Sequence, residues 1–356
     1  MLAAITWVGH LRDGDTAPMK NPEDRVELDR MPGALAHEPH SASTFHSIRR
    51  DRLRWLAVAT AGAVVVFAAN YLFFVRTRLG QELDNAALVG GEHEPQGLIT
   101  DAWELLDIIS VASLAAACVV IGVVALLRRR VALAVAALVT IGVANVATQL
   151  LKRIVLERPD LIGAGDTNSL PSGHATVAAS VCVGLVMVTA PRWRSIVGLV
   201  AVLFPISVGV AVVTAAWHRP SDSIAAFCVV LGTAALSLVV VVSIFGLEPD
   251  ARPPRWFRRS ALGLAVAAVI ALGGLGVVGL WLVRDQLREG PLEQGWESVA
   301  YASSTAGISG VAIAVLLCLV LALRGVAVGR SSRPPVVPLG ARDGDHEQTG
   351  TPQLDP

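Results

Sequence analysis

The sequence predicts an all-α integral membrane protein with eight transmembrane helices, and three observations carry that expectation. Of 356 residues, 53% are hydrophobic and 16% charged, against roughly 25% charged in ordinary soluble domains. Eight apolar runs each approach the ~20 residues a helix needs to cross the hydrocarbon core. Arginine is enriched in alternate connecting segments, as the positive-inside rule requires. The composition also excludes other classes. A chain this apolar is not intrinsically disordered. Its 29 basic and 29 acidic residues leave no net positive field, so no nucleic acid partner is expected.

Residues 1–45 carry scattered charge, Pro and His without periodicity and are expected to be a disordered cytoplasmic tail. Met19 and Met31 are alternative starts, and no charged segment leads into an apolar one there, so no cleavable signal peptide is expected. The apolar runs lie near 55–75, 105–127, 131–151, 173–190, 196–216, 222–245, 260–283 and 303–323. The first leads into an acidic connector, 76–104, which reads as a loop. Arg128, Arg129 and Arg130 separate the second run from the third. The fourth opens at Ser172-Gly173 and the sixth at Pro220, both residue types that begin helices. The seventh contains Gly273, Gly274, Gly276 and Gly279, small residues that let helices approach closely in a membrane. The last two runs hold no ionisable residue and read as packing helices. The chain thus divides into the tail 1–45, six spans in 46–246, two additional transmembrane helices in 247–323, and a second disordered cytoplasmic tail, 324–356. All four cysteines, Cys118, Cys182, Cys228 and Cys318, fall within apolar runs and read as small buried hydrophobes.

With the N-terminus in the cytoplasm, the inner flanks 46–54, 128–130, 191–195, 246–260 and 324–333 hold 16 Arg against three acids. The outer segments 76–104, 152–172, 217–222 and 284–302 hold eight basic and 14 acidic residues. Both termini are then cytoplasmic in a multi-pass cell-membrane protein, and 152–172 and 217–222 share the outer face. Those two segments also hold Lys152, Arg153, Arg158, His218, Arg219 and Asp222, with His174 just beyond. Ionisable groups that converge from separate spans at a membrane interface point to a site.

Three pieces make up the constellation. Lys152-Arg153 and Arg158-Pro159 leave the third run; arginine offers a planar fork to an oxyanion and lysine a point charge, although basic residues at span ends also simply snorkel to headgroups. Pro171-Ser172-Gly173-His174 opens the fourth run. Its first amides would face an anion, Ser172 adds a hydroxyl, and His174 can donate a proton near neutral pH; an ordinary capped helix start is the plainer reading. Trp217-His218-Arg219-Pro220-Ser221-Asp222 opens the sixth run. A carboxylate four residues after His218 can fix its tautomer and free the other ring nitrogen for attack. A metal site of His174, His218 and Asp222 is conceivable, but the clustered cations oppose a dication.

Taken together, the three pieces resemble the type 2 phosphatidic acid phosphatase superfamily, whose pattern is K-x6-R-P, P-S-G-H and S-R-x5-H-x3-D on a six-helix core; the resemblance covers roughly 55–245. It implies a membrane phosphatase that acts on a lipid phosphate or diphosphate at the extracytoplasmic face. It implies His218 as the nucleophile forming a phosphohistidine, Asp222 as the group that orients it, and His174 as the acid that protonates the leaving group. Lys152, Arg158, Ser172 and the Gly173 amide would hold the phosphate, with no metal or other cofactor. Transfer to a lipid or sugar acceptor, and a degenerate lipid-phosphate binder, are the alternatives. This chain departs from the pattern twice. Five residues, not six, separate Lys152 from Arg158, and Ala211-Val212 stand where Ser-Arg is expected. One residue fewer turns Lys152 by about 100° on a helix. Arg219 and Arg153 are the candidates to replace the missing arginine.

Overall fold

The computed structural model describes residues 40–165, 167–245, 247–249, 255–323 and 326–328. Helix α1 (His40–Asn70) continues into a π-helical turn, Tyr71–Val75. The expected tail 1–45 lies mostly outside the described residues, but from His40 the chain is already helical. The acidic connector is no loop: it folds into α2 (Arg78–Glu92) and the start of α3 (Gln96–Asp107). Thr77 Oγ1 accepts the Gly80 amide and starts α2. Leu83, Ala86, Ala87 and Gly90 then recur at helical spacing on its buried face.

The second apolar run breaks. α3 meets α4 (Val111–Leu127) at a 61° bend, where Ser110 and Ser113 form a reciprocal capping box that fixes a new helix start. α5 (Val131–Leu150) passes into a second π-helical turn, Leu151–Val155. α6 spans only Gly173–Val188, 16 residues. α7 (Arg194–Ala201) and α8 (Leu203–Thr214) join into one span, followed by α9 (Pro220–Phe245), α10 (Arg255–Glu289) and α11 (Gln294–Ala322). Among the described residues, six helices are long and apolar enough to cross a membrane, or seven if the bent pair counts as one. Eight spans are therefore not reached by length and composition: the capping box splits one expected run, and α6 is too short. Among the described residues the strands are a short antiparallel ribbon that pairs β1 (Leu247–Pro249) with β2 (Val326–Val328).

The core is built from alanine and valine: Ala137 and Ala144 of α5, Ala178 and Val183 of α6, Val208 and Val212 of α8, Ala226 and Val230 of α9. Phe227 is the largest fully buried side chain in it. Small side chains bring backbones close, which is how helices pack where lipid offers no hydrophobic drive. α11 belongs to this core rather than to an appended pair, since Ile308, Ala312, Leu316 and Leu319 are buried in it. α10 stays outside, with only 6% of its most apolar stretch buried. It rests on α11 through glycine: a Cβ on Gly279 would lie 1.8 Å from Ser303 Oγ, and one on Gly276 would lie 2.9 Å from the Ser303 carbonyl. Gly274, in contrast, faces open space.

At the end of the bundle away from the histidines, arginines bond the last carbonyls of neighbouring helices. Arg49 donates to Ser243 O (2.6 Å), Arg52 to Leu321 O (2.8 Å) and Arg194 to Leu323 O (2.6 Å), while Arg128 donates to Val188 O. Helix-terminal carbonyls have no partner within their own helix, and a guanidinium supplies one.

Candidate active site

His218 and Asp222 owe their placement to the end of α8 and the start of α9. α8 ends in a Schellman motif: Ala216 N–H reaches Val213 O at 2.9 Å and Trp217 N–H reaches Val212 O at 3.0 Å. Ala216 adopts φ +56°, a left-handed conformation that glycine usually takes. The His218 amide also bonds Val212 O, at 3.0 Å, so the chain turns back before α9 begins at Pro220. One turn on, Asp222 is fully buried, and its Oδ2 lies 3.0 Å from His218 Nδ1 and 3.1 Å from the Arg219 amide. The pairing on Nδ1 leaves Nε2 as the free nitrogen of the ring.

α6 meets this dyad through its backbone. The Ser172 amide donates to Asp222 O at 3.0 Å, and Ser172 Oγ accepts the Ala175 amide as the helix cap. That hydroxyl is fully buried, so its cap role is structural first. A Cβ on Gly173 would touch only Gln149 Nε2, at 3.6 Å. His174 is half-buried with its ring centre 5.4 Å from that of Trp217, and it is electrostatically coupled to His218 and Lys152.

The π-helical turn after α5 falls on the shortened first motif. Such a turn is wider than an α turn and shifts the phase of the residues in it. Lys152 sits inside it, half-buried and within the field of Asp222. Arg153, beside it, is exposed. The segment that follows is pinned from several sides. Asn168 Nδ2 donates to the carbonyls of Lys152 (3.1 Å), Leu156 (3.2 Å) and Leu170 (3.1 Å). Gln81 Nε2 donates to Pro159 O at 2.7 Å, and Leu161 N–H donates to Gln81 Oε1 at 3.2 Å.

Arg158 is 4% exposed and is not free: its Nη2 donates to Asp84 Oδ2 at 3.2 Å. Asp84 also accepts from the Ser221 amide (3.0 Å) and the Ser221 hydroxyl (2.6 Å) at the start of α9. Next to it, Arg219 Nη2 donates to Asn85 Oδ1 at 3.3 Å. The Nε of Arg158 and the Nε of Arg219 are buried without a hydrogen-bond partner among the described residues. Burial and the nearby Asp222 carboxylate push Asp84 up from 3.8 to about 6, against the opposing pull of Arg158 and Ser221. Burial, then the Arg158 charge, press the Arg219 guanidinium downward, while Asp84 and Asp222 hold it charged.

Asp84, Asn85, Gln81 and Asn168 escaped sequence reasoning. The signal for the first three was available: Leu79, Leu83, Ala86 and Gly90 recur three to four apart across 78–92, marking an amphipathic helix rather than a loop. Asn168 left no such signal. Ala211 and Val212, at the expected Ser-Arg positions, are buried in the helix core. Among the described residues no group of three or more His, Cys, Asp or Glu is placed to hold a metal ion.

The family model described as PAP2 superfamily matches residues 133–246. Among solved structures, the chain is similar to a transmembrane PAP2-type phosphatidylglycerolphosphate phosphatase from Bacillus subtilis, at 21% identity over 52% of this chain and 94% of that one, with a TM-score of 0.41. No curated protein matches. Residues 133–246 contain all three motif segments, and over that stretch the chain is similar to the PAP2 superfamily.

Proposed function

We propose that the protein is a metal-independent membrane phosphatase that hydrolyses a lipid phosphate or diphosphate, such as a polyprenyl diphosphate or phosphatidic acid, at the extracytoplasmic face. The observation that carries this reading is the buried His218–Asp222 pair, 3.0 Å apart, beside His174, Lys152 and two guanidiniums. In the first step His218 Nε2 attacks phosphorus, the P–O ester bond breaks, and His174 delivers its proton to the leaving alkoxide. Asp222 holds the Nδ1 proton and stabilises the positive ring. Water then attacks the phosphohistidine, the P–N bond breaks, His174 takes the water proton, and inorganic phosphate leaves. Lys152, Arg158, Arg219 and the first amides of α6 at Gly173 bind the phosphoryl oxygens where charge builds up. Arg219, half-buried and adjacent to the nucleophile, stands in for the absent Ser-Arg, and exposed Arg153 does not.

In this reading α6 crosses as a short span, the bent α3–α4 pair is another, and the eight segments place both termini in the cytoplasm, as the arginine excess supports. The lipid enters sideways with its tail still in the bilayer. A second reading, a lipid-phosphate binder without turnover, is favoured by the Arg158–Asp84 pair and the apolar Ala211-Val212. Phosphate release from a panel of lipid phosphates in EDTA, with acid-quenched labelling of His218, tests both. Turnover abolished by His218→Ala supports the phosphatase. Binding without label or release supports the second reading.

A further inference from the structure

The residue that least fits a phosphate-binding site is Asp84, a buried carboxylate on a helix that carries none of the three motifs. It bonds Arg158 at 3.2 Å and both polar groups of Ser221, at 3.0 and 2.6 Å. It thus ties the arginine that leaves α5 to the helix that carries Asp222. Its neighbour Asn85 holds the second guanidinium, Arg219, at 3.3 Å with a neutral group. With neutral histidines, Lys152, Arg158 and Arg219 stand against Asp84 and Asp222, so the site carries one net positive charge. Without Asp84 it would carry two.

We propose that Asp84 is a specificity-determining residue that lowers the charge of the anion site and so narrows its preference for a doubly charged phosphate group over a singly protonated one. This rests on the anion site of the function proposed above and sets which ionic forms of its substrate bind. The physical basis is Coulombic. A buried negative charge repels a dianion twice as strongly as it repels a monoanion of the same shape at the same place. The oxygens of Asp84 also compete with the ligand for Arg158, whose unpartnered Nε remains as a donor. The other charged groups that couple to Asp84 are Asp222 from α9 and Arg219 from the turn before it. Ionisable groups of α11 near α2 are engaged elsewhere, Glu297 with His93 and Tyr301 with Thr214.

Sulfate and methanesulfonate test this, because they are tetrahedral anions of similar shape that stay doubly and singly charged across the neutral range. Their dissociation constants are measured by calorimetry on the detergent-solubilised protein at pH 8 and fixed ionic strength, for the native chain, Asp84→Asn and Asp84→Glu. Removal of the charge in Asp84→Asn is expected to tighten methanesulfonate about threefold and sulfate about tenfold, the second factor being roughly the square of the first. Asp84→Glu restores the native ratio. Asn85→Asp, which leaves Asp84 in place, serves as an independent variant should Asp84→Asn fail to fold. It adds a charge beside Arg219 and weakens sulfate by roughly the square of its effect on methanesulfonate. Equal factors for the two anions would mean that Asp84 only shapes the site, and would overturn the proposal. Binding of neither anion to the native chain would overturn the anion site itself, and the proposal with it.

Discussion

Asp84 also makes a quantitative demand on stability. Its carboxyl is raised from 3.8 to about 6 in the folded chain. The raised value means the folded state holds a proton that the unfolded chain has already lost. Stability from this group is therefore fully present below pH ~4 and is lost as pH rises through about 6. The full difference is worth about 3 kcal/mol, of which roughly 1 kcal/mol is recovered on going from pH 8 to pH 5. Asp84→Asn removes that dependence. It also forfeits about one hydrogen bond, because an amide cannot accept from Arg158 and both groups of Ser221 together, at a cost of about 1–3 kcal/mol. The absolute stability of the variant is thus uninformative, and the pH dependence of the difference is the measurement. Thermal unfolding in detergent, followed by the fluorescence of the eight tryptophans, should show the native chain gaining about 2–4 °C over Asp84→Asn between pH 8 and pH 5. Parallel profiles, or a native chain that loses ground as pH falls, would refute an Asp84 that sits charged against its burial.

Three further outcomes follow from the geometry. Asp222→Asn leaves His218 free to take the wrong tautomer, and steady-state phosphate release should fall about 10³–10⁴-fold, by analogy with other carboxylate–histidine pairs. Gly279→Val, whose Cβ would lie 1.8 Å from Ser303 Oγ, should push α10 off α11 and lower Tm by several degrees, whereas Gly274→Ala, in open space, should leave Tm unchanged or slightly raised. Ala216→Gly relieves the φ +56° backbone and should stabilise the chain by up to about 1 kcal/mol in the same unfolding assay, less the flexibility that glycine adds to the unfolded chain.

The sequence made the motif residues legible because each stands next to a helix boundary that Pro, Gly or Ser marks. His218 and Asp222 at i, i+4 could be paired on paper, and the structure pairs them. Arg158 could be named, but its partner could not. Asp84 lies 74 residues earlier in the chain, and no periodicity links a carboxylate to a distant guanidinium. The phase of Lys152 was illegible for a different reason: an α-helical wheel assumes a constant turn, and a π-helical turn violates it. The two missing spans show the limit of counting apolar residues. A capping box within a hydrophobic run starts a new helix without altering its hydropathy, and a short helix such as α6 is sheltered by its neighbours rather than by its own length. The place of α11 in the core was likewise hidden, since its apolar run 303–323, without a charged residue, looks the same whether it faces lipid or protein.

The arginines at the far end of the bundle have a mechanical consequence. Each joins the end of one helix to the flank of another: α1 to α9 and α11, α7 to α11, and the segment after α4 to α6. The same residues that orient a membrane chain by their charge here act as rivets between its helices. The histidine end is held differently, by Asp84, Gln81 and Asn168 reaching across from other segments. The two ends can therefore be loosened independently. Hydrogen exchange of Arg52→Ala should speed up near Leu321 and leave the amides flanking His174 and His218 unchanged. Equal acceleration at both ends would show that the rivets also frame the histidine end.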